Sequence, residues 1–162
     1  MATANAATTF LENRLLNFLF KGNAAQGGVT FGSPGDNIFV GLATAVTNFD
    51  GTTGESGDPA ITEAAYTSYG RVQVQSSKWT LTAESANTQT CKNNENINFD
   101  ASTGGGSATI THVFIATHQT NSLDVVGANG NVLFIGALDN NKTIDTGDIF
   151  RINTNNLTIE LK

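Results

Sequence analysis

Near the start of the chain, apolar positions recur at helical spacing. Leu11, Leu15, Phe18 and Leu19 fall at i, i+4, i+7 and i+8, one stripe of an amphipathic helix. Leu16 and Phe20 widen that stripe. Thr9 and Glu12 form the S/T-x-x-E pattern, in which a hydroxyl and a carboxylate satisfy orphan backbone N–H groups at a helix start. Lys21 suits the negative end of the helix dipole, and Gly22 is a natural left-handed stop. The pattern predicts one short N-terminal α-helix of about three turns, too apolar to stand alone in water. Leu11, Leu15, Phe18 and Leu19 are therefore its candidate docking residues, against the rest of the domain or a neighbouring protomer.

Beyond Gly27-Gly28 and Gly32-Ser33-Pro34-Gly35-Asp36 the pattern changes to that of strands. Ile38-Phe39-Val40-Gly41-Leu42-Ala43-Thr44 is a nearly continuous apolar run, as expected of a buried strand. The segment from Asn48 to Pro59 is loop by composition. Tyr69 to Ser76 alternates and predicts a strand, with Trp79-Thr80-Leu81-Thr82 a second. Ala83 to Asp100 is Asn-rich and weakly patterned. Ala108 to His118, rich in Thr, Ile, Val and Phe, is the strongest strand signal. Val125-Val126 and Val132-Leu133-Phe134-Ile135 flank Asn129-Gly130, a hairpin signature. Lys142-Thr143-Ile144 and Ile149-Phe150-Arg151-Ile152 flank Asp145-Thr146-Gly147-Asp148 in the same way. Leu157, Ile159 and Leu161 alternate in a last strand.

Short strands separated by turn clusters predict an all-β fold, an antiparallel β-sandwich of jelly-roll or immunoglobulin-like type. The whole chain, 1–162, reads as a single domain. Residues 1–22 form an N-terminal arm and helix, and residues 37–162 the sandwich. The arm is expected to lie against a neighbouring subunit and to be dispensable for folding.

Composition narrows the function. Charged residues make up 14% of the 162 positions, with a net charge of −6. Such a chain has no basic field for phosphates, so no nucleic-acid partner is expected. No apolar run approaches the ~20 residues of a membrane span, and the start lacks a basic n-region. The expectation is a protein made in a host cytoplasm without a signal peptide and without a membrane partner. The single cysteine, Cys91, excludes an intramolecular disulfide framework and a multi-cysteine zinc site.

Catalytic chemistry finds little support. His112 and His118 share a face of one predicted strand about 20 Å apart, too far for two ligands of one metal. Nothing in the sequence joins Cys91 to His112. Asp50, Glu55 and Asp58 in one loop, and Asp139, Asp145 and Asp148 around another, offer oxygen ligands but lack EF-hand spacing. Asp, Asn and Gly also serve turns for backbone reasons. No phosphate loop, nucleophile elbow or dinucleotide fingerprint is present. No enzyme activity, cofactor or metal is expected.

The order of segments carries a resemblance. Phe10-Leu11-Glu12-Asn13-Arg14-Leu15-Leu16 opens the series, and Ile38-Phe39-Val40-Gly41-Leu42-Ala43-Thr44-Ala45 follows. Next come Ala65-Tyr66-Thr67-Ser68-Tyr69-Gly70-Arg71-Val72, Ile110-Thr111-His112-Val113-Phe114-Ile115-Ala116-Thr117 and Val132-Leu133-Phe134-Ile135-Gly136-Ala137-Leu138. The segment from Lys142 to Ile152 and Leu157-Thr158-Ile159-Glu160-Leu161 close it. This order resembles the small virion structural proteins of tailed bacteriophages of the "tail-fibre-like" type, over about residues 8–161.

The resemblance implies a non-enzymatic virion component that associates with copies of itself and with other capsid or tail proteins. The expected roles are a capsid decoration (cement) or a tail or baseplate adaptor on the particle exterior. The rare cations Arg14, Arg71 and Arg151 are candidate interface anchors. The alternative is a carbohydrate- or receptor-binding module of a tail fibre, with Tyr66, Tyr69 and Trp79 stacking on sugar.

Overall fold

The structure, a computed structural model, describes residues 2–7, 25–26, 29–30, 38–47, 60–85, 88–116, 119 and 132–161. In chain order the strands are β1 (Ala2–Ala7), β2 (Ala25–Gln26), β3 (Val29–Thr30), β4 (Phe39–Thr47), β5 (Ala60–Glu63) and β6 (Val72–Gln73). After a 3-10 turn at Ser76–Lys78 come β7 (Trp79–Ser85), β8 (Thr88–Asn93), β9 (Ile97–Asn98) and β10 (Ala108–Ala116). The last three are β11 (Val132–Ile144), β12 (Arg151–Ile152) and β13 (Leu157–Leu161). The all-β expectation holds. The expected helix with Leu11, Leu15, Phe18 and Leu19, together with Arg14 and the Asn129-Gly130 hairpin, lies outside the described residues.

Nine strands form one sheet in the order β5-β4-β10-β11-β1-β13-β8-β7, with β6 also bonded to β4. Hydrogen bonding is unbroken from β5 to β7. All its pairs are antiparallel except β1 with β13. Two short ladders, β9 with β12 and β2 with β3, stand beside it.

β10 explains why its sequence was the strongest strand signal. Val113 and Ile115 point into one buried cluster, with Val40, Leu42, Ile110, Ile144 and Leu157. The alternate residues Phe114 and Ala116 enter a second cluster, with Ala43 and Ile135. A strand buried on both faces reads as a continuous apolar run because neither register faces water. Each fully buried large side chain contributes about 1.5–3 kcal/mol, so these clusters dominate stability. β4 packs beside β10 and carries a glycine for a steric reason. A Cβ on Gly41 would sit 2.1 Å from Cζ of Phe114, inside the ring's own volume.

Two sequence expectations are corrected. Of the strand expected over Tyr69–Ser76, only β6 forms. Its start is used by a turn in which Tyr69 N–H donates to the Tyr66 carbonyl (3.0 Å), with Ser68 at φ 79°. The Asp145–Asp148 turn forms, with Gly147 at φ 93°, but it does not close a hairpin. β12 instead pairs with β9, and Phe99 N–H donates to the Phe150 carbonyl (3.0 Å). The N-terminal segment enters the sheet. As β1 it is a strand of the protein's own main sheet, between β11 and β13.

Candidate functional site

Arg71, expected at the surface, is 3% exposed. The chain from the Tyr66–Tyr69 turn carries it back under β5, where its Nε donates to Glu63 Oε1 and its Nη2 to Oε2, each at 2.9 Å. Tyr69 Oη donates to the same Oε1 at 2.7 Å and accepts from Leu42 N–H at 2.9 Å. The guanidinium carbon lies 5.0 Å from the centroid of the Phe114 ring, the ring that Gly41 admits. Both charges are thus paired and hydrogen-bonded, the condition under which buried ions are tolerated. Burial and then the Glu63 charge push the Tyr69 phenol well above its ordinary value of 10. The Tyr69 phenol is therefore held neutral at neutral pH. The cluster is a brace.

The Asn-rich stretch that sequence patterning left unread is a second framework. Asn93 is fully buried; its Nδ2 donates to the carbonyls of Glu95 (2.7 Å) and Asn153 (2.9 Å). Its Oδ1 accepts from Leu157 N–H at 2.8 Å. Asn96 Oδ1 accepts from Thr154 N–H (3.0 Å), and Asn98 Oδ1 from Arg151 Nε (2.7 Å). Asn93 and Asn96 supply partners to the backbone of residues 153, 154 and 157, and Asn98 holds the Arg151 side chain. Asn94 Nδ2 donates to the Ser77 carbonyl at 3.0 Å, so successive asparagines of this stretch hold different segments.

Held this way, Arg151 is exposed at a shallow groove of about 410 Å³. Leu138, Asn140 and Lys142 of β11 form one wall, and Ile149, Phe150 and Asn153 the other. Ile149 is 51% exposed, the large apolar side chain most open to water among the described residues. An adjoining hollow of about 130 Å³ reaches Val113, Ile152 and Leu157 of the core. The groove combines two cations, amides and an exposed aliphatic group, with Asp139 at its rim. That mixture suits contact with another surface. It offers no nucleophile–base pair.

The remaining candidates are dispersed. Cys91 of β8 is half-buried, and burial pushes its thiol up, away from the reactive thiolate. His112 of β10 sits four strand positions from β8 in the sheet, with Nδ1 2.7 Å from Thr111 Oγ1 and its pKa lowered by burial. Asp148 Oδ2 accepts from Asp145 N–H at 3.0 Å, and Asp145 accepts from Ser107, so both serve the turn. Asp50, Glu55, Asp58 and His118 lie outside the described residues. Tyr66 is 3% exposed and packs edge-on against Tyr69, whose ring stacks on Phe99. Trp79 is half-buried and donates to the Val74 carbonyl at 3.3 Å. Tyr66 is a core residue, and Tyr69 and Trp79 pack, partly buried, against the same core.

Comparison with known families matches residues 6–160 to a family described as Podophage GP4 fiber I protein gp80. No curated protein matches the chain. The tail-fibre-like resemblance read from the order of segments is borne out over that range. With a match spanning nearly its full length and an all-β architecture, the chain belongs to this family of podophage fibre proteins, structural components of the virion.

Proposed function

We propose that this protein is a non-catalytic module on the exterior of the phage particle. It works by association with copies of itself and with other virion proteins, on the tail or fibre side. The family match over residues 6–160 carries this reading. A fibre family favours an adaptor of tail or baseplate over a capsid decoration. The single domain 1–162 acts as one β-sandwich, with β4, β10 and β13 contributing to one buried cluster. The helix residues Leu11, Leu15, Phe18 and Leu19, with Arg14, dock on a neighbour or on the domain. Arg151, exposed beside Lys142 at the groove, is the arginine offered to an interface. A surface poor in Lys and Glu has little side-chain entropy to lose on packing, which suits weak contacts repeated by symmetry.

Quantitative mass spectrometry of purified particles tests this. A few to a few dozen copies per virion is the expected result, whereas hundreds would mean the head, and absence from particles would refute the role. A receptor-binding reading is favoured by one observation: Asn140, Asn153 and Asp139 line the Arg151 groove with groups that bond sugar hydroxyls. A glycan array on the purified protein decides it.

A further inference from the structure

The strand β1 occupies an unusual place. It pairs antiparallel with β11, through Thr3↔Ala137, Ala4↔Gly136, Ala6↔Ile135 and Ala7↔Phe134, and parallel with β13, through Ala2↔Leu157 and Thr3↔Thr158. It is therefore the hydrogen-bonded link between the β5-β4-β10-β11 half of the sheet and the β13-β8-β7 half. Four of its six residues are alanine, and backbone pairing to both neighbours fixes its register. The seam on one side is imperfect. It is the single parallel pair among the described strands and its register covers two residues. There Thr158, 5% exposed, has a hydroxyl without a hydrogen-bond partner. With two register pairs here against four on the β11 side, this seam is the weaker edge of the slot.

We propose that β1 is an exchangeable strand, and that the slot between β11 and β13 takes the β1 of a second copy of this chain. An exchanged strand makes the same backbone bonds to β11 and β13 as the protein's own, so exchange between identical chains sacrifices none of them. With four alanines among its six residues, β1 carries little side-chain shape for the slot to match. Residues 8–24 connect β1 to β2. Fully extended, these residues span at most about 60 Å, more than the diameter of such a domain. Exchange joins neighbouring copies through main-chain bonds inside the sheet, which outlast surface contacts on an exposed particle. The proposal rests on the reading of the protein as a self-associating module and names the element by which copies join.

Two single-cysteine chains of different mass, both in a Cys91→Ser background, test it. One carries Thr3→Cys and the other Ala137→Cys, an exposed position opposite it in register. Neither chain can cross-link within itself in the expected way. They are refolded together, oxidised and separated under denaturing, non-reducing conditions. Strand exchange gives a mixed disulfide several-fold above a control pair of Asp100→Cys with Ala137→Cys. Yield at the control level overturns the proposal. Should a cysteine chain fail to refold, the unsubstituted protein carries the test in a mixed-label sample: nuclear Overhauser contacts between Ala4 and Gly136 of different chains support exchange, and contacts within one chain only overturn it. A negative result here leaves the virion role standing, since particle mass spectrometry reads that separately.

Discussion

Arg71 and Arg151 are the same residue type with the same expected role, and the fold gives them opposite environments. Arg71 is sealed under β5 with both ends of its fork on Glu63 and its plane beside Phe114. Arg151 stands at an open groove with Nε on the amide of Asn98. The first is held by partners that cannot be replaced by water. The second keeps its solvent, so a partner protein can recruit it at low cost. An arginine's function is thus decided by what surrounds it.

The comparison breaks most sharply at Arg71. Arg71→Ala leaves the Glu63 carboxylate buried and unpaired, and should cost about 3–5 kcal/mol in urea unfolding. The double variant Arg71→Met, Glu63→Gln should lose clearly less than the single one, because it removes both charges together. If the single variant is as stable as the parent, the brace is not structural.

Asn93→Ala tests the framework that presents Arg151. It removes one acceptor and two donor bonds at a fully buried site, and should cost about 2–3 kcal/mol. Hydrogen exchange should quicken first at residues 151–157 and leave β4 and β10 protected. Gly41→Ala tests the ring beneath Arg71. The added methyl must displace Phe114, for about 1–3 kcal/mol seen as a lower melting temperature.

A smaller effect comes with alkaline pH. The Tyr69 phenol has a pKa raised above that of the unfolded chain, so its contribution to stability is complete below pH 10 and is lost as pH rises beyond it. Denaturation midpoints measured upward from pH 9 should fall more gently in Tyr69→Phe than in the parent. The least effect on folding belongs to Arg151→Ala, within about 0.5 kcal/mol of the parent. Its consequence should appear in assembly, as reduced incorporation into particles at unchanged melting temperature. Normal incorporation would remove Arg151 from the interface.

How far each of these regions was readable follows from the range of the interactions involved. β4, β7, β10 and β13 were legible because alternation and continuous apolar runs record burial face by face. The Asp145-Thr146-Gly147-Asp148 turn was legible because its chemistry is local, a carboxylate and a glycine serving nearby backbone. Its hairpin was misread, since a turn signal does not say which strand the chain meets next. Glu63 and the Asn93 framework were missed for a related reason. Glu63 acts on residues six and eight positions away around a turn, and Asn93 reaches Leu157 across 64 positions.

By itself, then, the sequence determined that this chain is built of strands, where most of them lie, and to which virion family it belongs. Those properties rest on periodicity, turn chemistry and the order of segments, all carried by neighbouring residues. Only the tertiary structure decided that β12 pairs with β9, that β1 enters the middle of the sheet, and that Arg71 is sealed while Arg151 is presented. Each of these is a choice among chemically equivalent partners. Strand edges offer the same N–H and C=O groups everywhere, and an arginine is equally able to pair inside or outside. The choice is made by which packing buries the apolar faces of distant segments together, a sum over contacts that no local stretch of sequence contains.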